Sequence, residues 1–231
     1  MITVRKNTER GHIDHGWLDA KHTFSFGQFV DPEWMGFRSL RVINEDYIAA
    51  KKGFGEHGHR DMEIITYPIS GALRHRDSLG NEEDIEHGMI QRTSAGSGIL
   101  HSEFNPGSEK AHLLQIWIEP REVGIEPSHE SGYFPIVDEP GRLHLLASED
   151  GTDGSMVIQQ DASLWAGVFG AGEVERVSLR YGRHAWVQVV EGSVRVLGEL
   201  LLAGDGAAIS DEKLIEFGFE SQSEILVFDL A

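Results

Sequence analysis

Short runs of β-branched and aromatic residues, each bounded by turn-forming residues, recur along the whole chain and limit the folds open to it. Of the 231 residues 27 are glycine, which weakens helices and supplies turns. The clearest runs are Ser39–Ile43, Met62–Ile69, Leu113–Ile118, Met156–Gln160, Ala185–Val190 and Ile225–Leu230. Regularly spaced strands of this kind predict an all-β sandwich or barrel.

Three shorter segments carry local predictions. Thr23–Phe29 alternates aromatic with small or polar residues, which predicts a strand with one buried aromatic face. Asp31–Met35 has proline as its second residue and predicts a single helical turn. Asp77–Asn81 combines aspartate, serine, glycine and asparagine, so it predicts the end of a hairpin.

A faint internal repeat divides the chain. Ile65–Leu73 resembles Val187–Val194, and Gly192 follows Gly71 by 121 positions. Four prolines fall between residues 119 and 140, and they predict a linker there. We therefore expect two similar β-domains, one at residues 1–120 and one at residues 121–231, the second including the linker.

The absence of cysteine restricts the chemistry of any metal site. A chain without cysteine has no disulfide scaffold, thiolate nucleophile, zinc ribbon or iron–sulfur cluster. A bound metal must therefore be held by nitrogen and oxygen atoms.

Charge and hydropathy argue against two further classes of protein. The 38 acidic residues exceed the 20 basic ones and make the net charge −18, which disfavours direct binding of nucleic acid. No run of 18 apolar residues exists, and the N-terminal Met1–Lys6 lacks an apolar stretch. We expect neither a membrane span nor a signal peptide, and hence a cytoplasmic location.

Two pairs of residues at alternating spacing predict a metal site. His57 and His59 would project from the same face of a strand, as would His101 and Glu103. Glu63 shares the parity of the first pair, provided that its strand continues without a bulge. The spacing leaves open whether Glu63 or Glu103 is the carboxylate ligand.

Three imidazoles and one carboxylate form a donor set that suits Fe(II), Mn(II), Ni(II), Co(II), Cu(II) or Zn(II). A six-coordinate metal with four protein ligands keeps two positions open. Neighbouring open positions are what an oxygenase needs to hold a substrate oxygen beside dioxygen. The other nine histidines are interpreted as ordinary surface or core residues.

Several motifs together resemble the pirin family of the cupin superfamily. Gly53–Gly71 and Gly88–Asn105 resemble the two cupin motifs. The resemblance to pirins extends over nearly the whole chain, is densest between residues 11 and 120, and rests on His15–Leu18, Thr23–Phe26, Gly36–Asn44, His57–Glu63, Ser94–Ile99 and His101–Asn105. Gly58 is a mild departure, since proline is more usual there in the family.

The resemblance implies a bicupin: two antiparallel β-barrels of jelly-roll type, packed face to face, with one metal in the N-terminal barrel. It assigns the ligands as His57, His59, His101 and Glu103. It leaves Glu63 near the metal but not bound to it. We expect iron, with manganese, nickel, cobalt, copper and zinc also compatible.

Bacterial members of the family imply the activity of a quercetin 2,3-dioxygenase, which opens a flavonol ring with dioxygen and releases carbon monoxide. Glu103 is then the expected catalytic base, and Phe24 and Phe26 are candidates for the cavity wall. The family also implies an alternative: a metal- or redox-sensing protein that binds a transcription factor or a metabolic enzyme without turnover.

The repeat predicts a second barrel without metal. Counted from Gly192, the positions that match His57 and His59 are Ser178 and Arg180. Counted from Gly204, the positions that match His101 and Glu103 are Phe217 and Phe219. We expect the C-terminal barrel to have lost its metal and to fill its centre with aromatic side chains.

Overall fold

The computed structural model describes residues 1–231, and nearly all of its regular structure is β-strand. The first twelve strands are β1 (Ile2–Arg5), β2 (Gly11–Asp14), β3 (Leu18–His22), β4 (Leu40–Ile48), β5 (Gly53–His59), β6 (Glu63–Ser70), β7 (Ala72–Asp77), β8 (Glu82–Glu86), β9 (Met89–Ser94), β10 (Ile99–Phe104), β11 (Ala111–Ile118) and β12 (Ser128–Tyr133).

Ten further strands follow: β13 (His144–Ser148), β14 (Met156–Val157), β15 (Ala162–Phe169), β16 (Val174–Ser178), β17 (His184–Glu191), β18 (Ser193–Val196), β19 (Glu199–Leu202), β20 (Gly206–Ile209), β21 (Leu214–Phe219) and β22 (Ser223–Leu230). The helices are two single turns of 3₁₀ type, Asn7–Glu9 and Thr152–Gly154. Neither helix has the length or apolarity that crossing a membrane requires.

The N-terminal unit comprises Gly11–Phe134 together with Ile158–Gln160. Its seven-stranded sheet has the order β12-β9-β6-β11-β4-β3-β2, and its four-stranded sheet has the order β5-β10-β7-β8. Alternate side chains of the strands meet in an apolar cluster that includes Leu73, Ile85 and Leu113. Phe54 of β5 packs against this cluster.

The C-terminal unit comprises Met1–Arg10, Pro135–Val157 and Asp161–Ala231. It repeats the arrangement with the sheets β1-β20-β17-β22-β15-β13-β14 and β16-β21-β18-β19. The all-β bicupin prediction is confirmed in these two jelly-roll units. Each unit consists of two sheets rather than one closed barrel.

The edge strand of each seven-stranded sheet comes from the other half of the sequence. β1 pairs with β20 in the C-terminal unit, and β12, which follows residue 120, pairs with β9 in the N-terminal unit. Each edge is thus completed by a segment distant in sequence. The predicted domain boundary at residue 120 stays a prediction.

Strand register relates the two units residue by residue. His75 and Val196 each lie four positions after the repeat glycine; Glu103 pairs with His75, and Phe217 pairs with Val196. Phe217 therefore takes the place of Glu103. The count from Gly204 was wrong by two residues, because Phe217 lies 13 positions after Gly204 whereas Glu103 lies 15 positions after Gly88.

The same register corrects the other predicted equivalents. Four apolar side chains replace the candidate ligands: Val177 for His57, Leu179 for His59, Ile215 for His101 and Phe217 for Glu103. All four belong to the apolar core of the C-terminal unit or pack against it. Phe219 lies in that core as predicted and stacks on Phe169 with ring centroids 4.2 Å apart.

Two local predictions were wrong and one is confirmed. Thr23–Phe29 is not a strand, because Gly27 adopts a φ of 58° and Phe26 and Phe29 exchange backbone hydrogen bonds across a tight turn. Asp31–Met35 forms a turn rather than a helix. Asp77–Asn81 does end the β7–β8 hairpin, where the Asp77 carboxylate accepts hydrogen bonds from two backbone amides.

Candidate metal centre

Three of the predicted ligands converge on one point of the N-terminal unit. β5 and β10 are neighbours in the four-stranded sheet, and their register places His101 opposite His57 and Ile99 opposite His59. One ring nitrogen of each histidine lies within 4.8 Å of the others. The alternating spacing on two paired strands therefore brings three imidazoles together.

The orientation of the rings suits a cation. Nε2 of His57 and Nε2 of His101 are 3.1 Å apart, while Nδ1 of His57 lies 2.8 Å from the Gly55 carbonyl oxygen. The carbonyl accepts only a proton-bearing nitrogen, so the lone pair of His57 is on Nε2 and faces the site. The His59 ring is nearly perpendicular to both other rings, with centroids 4.8 and 4.7 Å away.

Burial keeps the imidazoles of His59 and His101 neutral. It lowers the pKa of His59 to about 4, helped by the nearby His57. Burial, together with the neighbouring histidines, lowers the pKa of His101 to about 3. A neutral imidazole has the free lone pair that a metal needs.

Glu103 lies beside this group with its carboxylate directed at the opposite sheet. Gln115 donates a hydrogen bond of 2.5 Å to Oε1 of Glu103, and Thr66 donates a weaker one of 3.5 Å. Burial raises the pKa of Glu103 to about 7, against the effect of these two hydrogen bonds. One of its carboxylate oxygens lies within 4.8 Å of a ring nitrogen of His101 and of His75. Glu103 is therefore next to His101, which also belongs to the group of three histidines.

Glu63 lies elsewhere. Arg60–Met62 forms a bend, with Asp61 at a φ of 50°, so β5 ends at His59 and Glu63 starts a strand of the other sheet. Its carboxylate accepts a hydrogen bond of 2.7 Å from Ser94, and burial raises its pKa. Glu63 therefore does not share a strand face with His57 and His59, because the strand is interrupted between them.

A cavity of about 330 Å³ opens beside the histidines. Besides His57, His59, His101 and Glu103, its lining consists of Phe26, Asn44, Asp46, Phe54, Ile64, Gln115 and Trp117. Phe26 lines the cavity, as predicted. Phe24 does not line the cavity; it is buried and lies next to Trp34.

A row of polar side chains crosses the seven-stranded sheet beneath the site. Five cross-strand neighbours form it: Gln91, Thr66, Gln115, Asn44 and His22. The matching row of the C-terminal unit is Ala207, Val187, Val227, Trp165 and Leu145. The polar row therefore belongs to the candidate metal centre and is not required by the fold. The row is not visible in the sequence, because its five members come from five different strands.

A second buried cluster adjoins the site. His75 and His129 stack with centroids 4.6 Å apart, and Asp77 lies 3.1 Å from His75. The Gln91 amide nitrogen lies 2.7 Å from Nδ1 of His75 and 3.5 Å from Nδ1 of His129, while Glu83 contacts the other ring nitrogen of His129. Burial lowers the pKa of His75, although Asp77 opposes the shift. His75 and His129 are isolated from each other in the sequence, but the fold brings them into contact.

Two jelly-roll units, one of them with converging histidines and a buried glutamate beside a cavity, define the class: a bicupin with a candidate centre for a divalent transition metal. The Pirin family model matches residues 3–118, and the model of the quercetinase C-terminal cupin domain matches residues 145–230. The chain belongs to the pirin family.

Relatives cover the full chain. A quercetin 2,3-dioxygenase of Escherichia coli K12 is 48% identical over all of this chain and 99% of its own length. A pirin-like protein of Caulobacter vibrioides is 41% identical, with both chains fully covered. The crystal structure of the bacterial pirin YhhW of Escherichia coli with nickel(II) has a TM-score of 0.95 and 47% identity, covering 100% of this chain and 99% of that one.

Proposed function

We propose that the protein is a metal-dependent dioxygenase that opens the ring of a flavonol such as quercetin. The observation that carries the proposal is the convergence of His57, His59 and His101 beside Glu103 at the wall of an apolar cavity. The quercetin 2,3-dioxygenase of Escherichia coli, 48% identical over the whole chain, supports the same substrate class.

The cavity walls suit a flat aromatic ligand. Phe26, Phe54, Ile64 and Trp117 form its apolar surface, and aromatic rings pack well against one another. Trp117 stacks edge-on against both Phe26 and His59, with centroids 5.4 and 5.0 Å away. These residues would place a flavonol against the histidines and exclude water from it.

The donor set fits a divalent transition metal, and His57, His59, His101 and Glu103 would hold it. We infer that iron is the native metal. When bound, the metal would supply a Lewis acid for the 3-oxygen of the flavonol and a place for dioxygen beside it.

Glu103 is the proposed catalytic base. Its Oε1 accepts the hydrogen bond from Gln115, which leaves Oε2 for the proton of the flavonol 3-hydroxyl. Burial raises the pKa of Glu103 to about 7 in the metal-free protein, and a bound cation would lower it. The carboxylate would then be ionised and able to accept the proton. Overall one dioxygen is consumed, the central ring opens, both oxygen atoms enter the products, and one carbon monoxide leaves.

The test is to load the purified protein separately with Fe(II), Mn(II), Ni(II), Co(II) or Cu(II) and to follow flavonol bleaching together with carbon monoxide. We expect both signals with at least one metal, and neither in His57→Ala. Absence of bleaching with every metal, in protein that binds one metal per chain, would refute the proposal. Full turnover by Glu103→Ala would refute only the assignment of the base.

A further inference from the structure

Asp77 and His75 flank the ligand-bearing strand β10 on the side away from β5. In the register of β10 with β7, Asp77 is opposite His101 and His75 is opposite Glu103. Directly opposite residues of an antiparallel pair project from the same face, with Cβ atoms about 4.5–5.5 Å apart. The ring centroid of His75 is 5.4 Å from that of His101. The two residues therefore lie directly behind two of the candidate ligands.

Asp77 is held in place as a buried anion. The side chains of Asp77 and His75 have no exposed surface. Backbone amides of Leu79 and Asn81 donate to one carboxylate oxygen, and the side-chain amide of Asn81 donates to both. Gln91 donates to Nδ1 of His75, so Nε2 of that ring carries the proton and donates to Asp77 at 3.1 Å. This number of donors favours the ionised carboxylate.

The other carboxylate of the cluster is closer to water. Glu83 contacts His129 and Ser131, and its side chain is 26% exposed. Water therefore screens the charge of Glu83 more than that of Asp77.

The fold does not require these polar groups. Four residues of the cluster have apolar or glycine equivalents in the C-terminal unit: His75, Asp77, Gln91 and His129 match Val196, Gly198, Ala207 and Ile2. Val196 and Ala207 belong to the apolar core of that unit, and Ile2 packs against it. Burying a charge is costly, and the same jelly roll forms without one. The buried charge accompanies the candidate ligands, not the fold.

The candidate metal centre favours a negative group beside His101. A divalent cation held by three neutral imidazoles and the Glu103 carboxylate keeps one net positive charge. Nε2 of His101 lies 3.1 Å from Nε2 of His57, so the proton of His101 as a ligand is on Nδ1. That nitrogen is buried and has no hydrogen-bond partner in the protein. A neighbouring anion stabilises both the net charge and the N–H dipole, and Asp77 is the residue opposite His101.

We propose that Asp77 is a positioning residue of the candidate metal centre, which stabilises the bound cation through its buried charge and holds the His75 ring beside His101. The attraction is proportional to the charge of the cation. Asp77 therefore favours Fe(III) over Fe(II) and lowers the reduction potential of bound iron. This inference rests on the metal binding of the proposed function and not on the reaction with a flavonol.

The experiment uses Asp77→Asn, which removes the charge and keeps the size of the side chain. Iron-loaded wild type and variant are titrated with a reductant in the presence of redox mediators, and the electron paramagnetic resonance signal of Fe(III) gives the reduction potential. We expect the affinity for Fe(III) to fall about tenfold more than the affinity for Fe(II), which raises the potential by about 59 mV. A purely structural role would leave this ratio unchanged.

Asp84→Asn is the matched control, because it removes a carboxylate of the same hairpin that is 39% exposed and paired with Arg74. Its potential should equal that of the wild type. A second variant, Asp77→Asn/Asn81→Asp, keeps the net charge and the contact between the two side chains but moves the charge to the half-buried position 81. Its preference for Fe(III) should fall at least about threefold, and it decides the question if Asp77→Asn does not fold.

An unchanged potential in both variants at position 77, with one iron bound per chain, overturns the role of Asp77 and leaves the proposed function intact. An equal shift in Asp84→Asn overturns it as well, since the shift would then follow net charge alone. A wild type that binds no iron overturns it outright. The expected shift in a protein that does not turn over flavonol would refute the proposed function and leave the role of Asp77 supported.

Discussion

The side-chain amide of Gln115 donates a hydrogen bond of 2.5 Å to Oε1 of Glu103, from β11 in the middle of the seven-stranded sheet to β10 in the four-stranded sheet. The two residues are 12 positions apart in sequence. The contact holds a buried carboxylate whose charge would otherwise have only the weak bond from Thr66. It links the polar row of the large sheet to the candidate metal centre.

Gln115→Leu should weaken metal binding by about tenfold or more, since a hydrogen-bonded carboxylate is a better oriented ligand. Competition with a chromogenic chelator measures the affinity. Thr66→Val removes the longer hydrogen bond of 3.5 Å and should have the smaller effect. Equal losses in the two variants would contradict the role assigned to Gln115.

Metal binding should release protons from Glu103. Its pKa of about 7 means that about half of the metal-free carboxyl groups are protonated at pH 7 and about a tenth at pH 8. A ligand must lose its proton, so Glu103 contributes about half a proton at pH 7 and about a tenth at pH 8. Calorimetric titration in buffers of different ionisation enthalpy measures this release. If proton release still decreased between pH 7 and pH 8 in Glu103→Gln, the assignment of the released proton to Glu103 would be wrong.

Acid should destabilise the metal-free protein through its histidines. His59 and His101 have folded-state pKa values of about 4 and about 3, mainly because of burial. Their contribution to stability is present above pH 6.5 and is lost as the pH falls towards these values. Glu103 has the opposite sign: its raised pKa favours the folded state at low pH, and this contribution is lost as the pH rises through 7.

Scanning calorimetry in the presence of a chelator measures these opposing effects. Between pH 6.5 and 4.5 the melting temperature should fall more steeply in Glu103→Gln than in the wild type, because the opposing group is gone. The fall should be shallower in His101→Gln. Identical pH profiles of the three proteins would show that these groups do not govern acid stability.

One metal ion per chain is the expected stoichiometry. In the C-terminal unit the four positions that match the ligands hold Val177, Leu179, Ile215 and Phe217, none of which offers a donor. Elemental analysis should find one equivalent in the wild type and close to none in His57→Ala. Two equivalents, with one surviving in His57→Ala, would falsify the prediction.

Local chemistry was readable from the sequence. Alternation on a strand depends only on backbone geometry, so His57 and His59 share a face, as do His101 and Glu103, wherever their strands lie. The missing cysteine restricts the donors to nitrogen and oxygen. The repeat around Gly71 and Gly192 predicts two similar β-units because the pattern of strand, glycine and strand recurs.

Sequence spacing alone gave wrong predictions where a bend, a turn or a change in segment length interrupts the regular pattern. Glu63 has the parity of His57, but the bend at Asp61 moves it to another sheet. The equivalents of the candidate ligands in the C-terminal unit were displaced by one or two residues, because two segments differ in length between the units. The segment from Val177 to Gly192 is one residue longer than the segment from His57 to Gly71, and the segment from Gly204 to Phe217 is two residues shorter than the segment from Gly88 to Glu103. Thr23–Phe29 alternates like a strand, but the positive φ of Gly27 turns the chain within it.

The sequence by itself determined the all-β class, the two units and the residue types of the candidate metal centre, because these follow from periodicity and donor chemistry within short segments. Only the tertiary structure decided which segments meet: His101 with His57, Gln115 with Glu103, and His75 with His129. It also assembled the row of polar residues from five different strands. Strand pairing joins residues that are distant in the chain, and its register depends on the length of every turn and on the burial of every face.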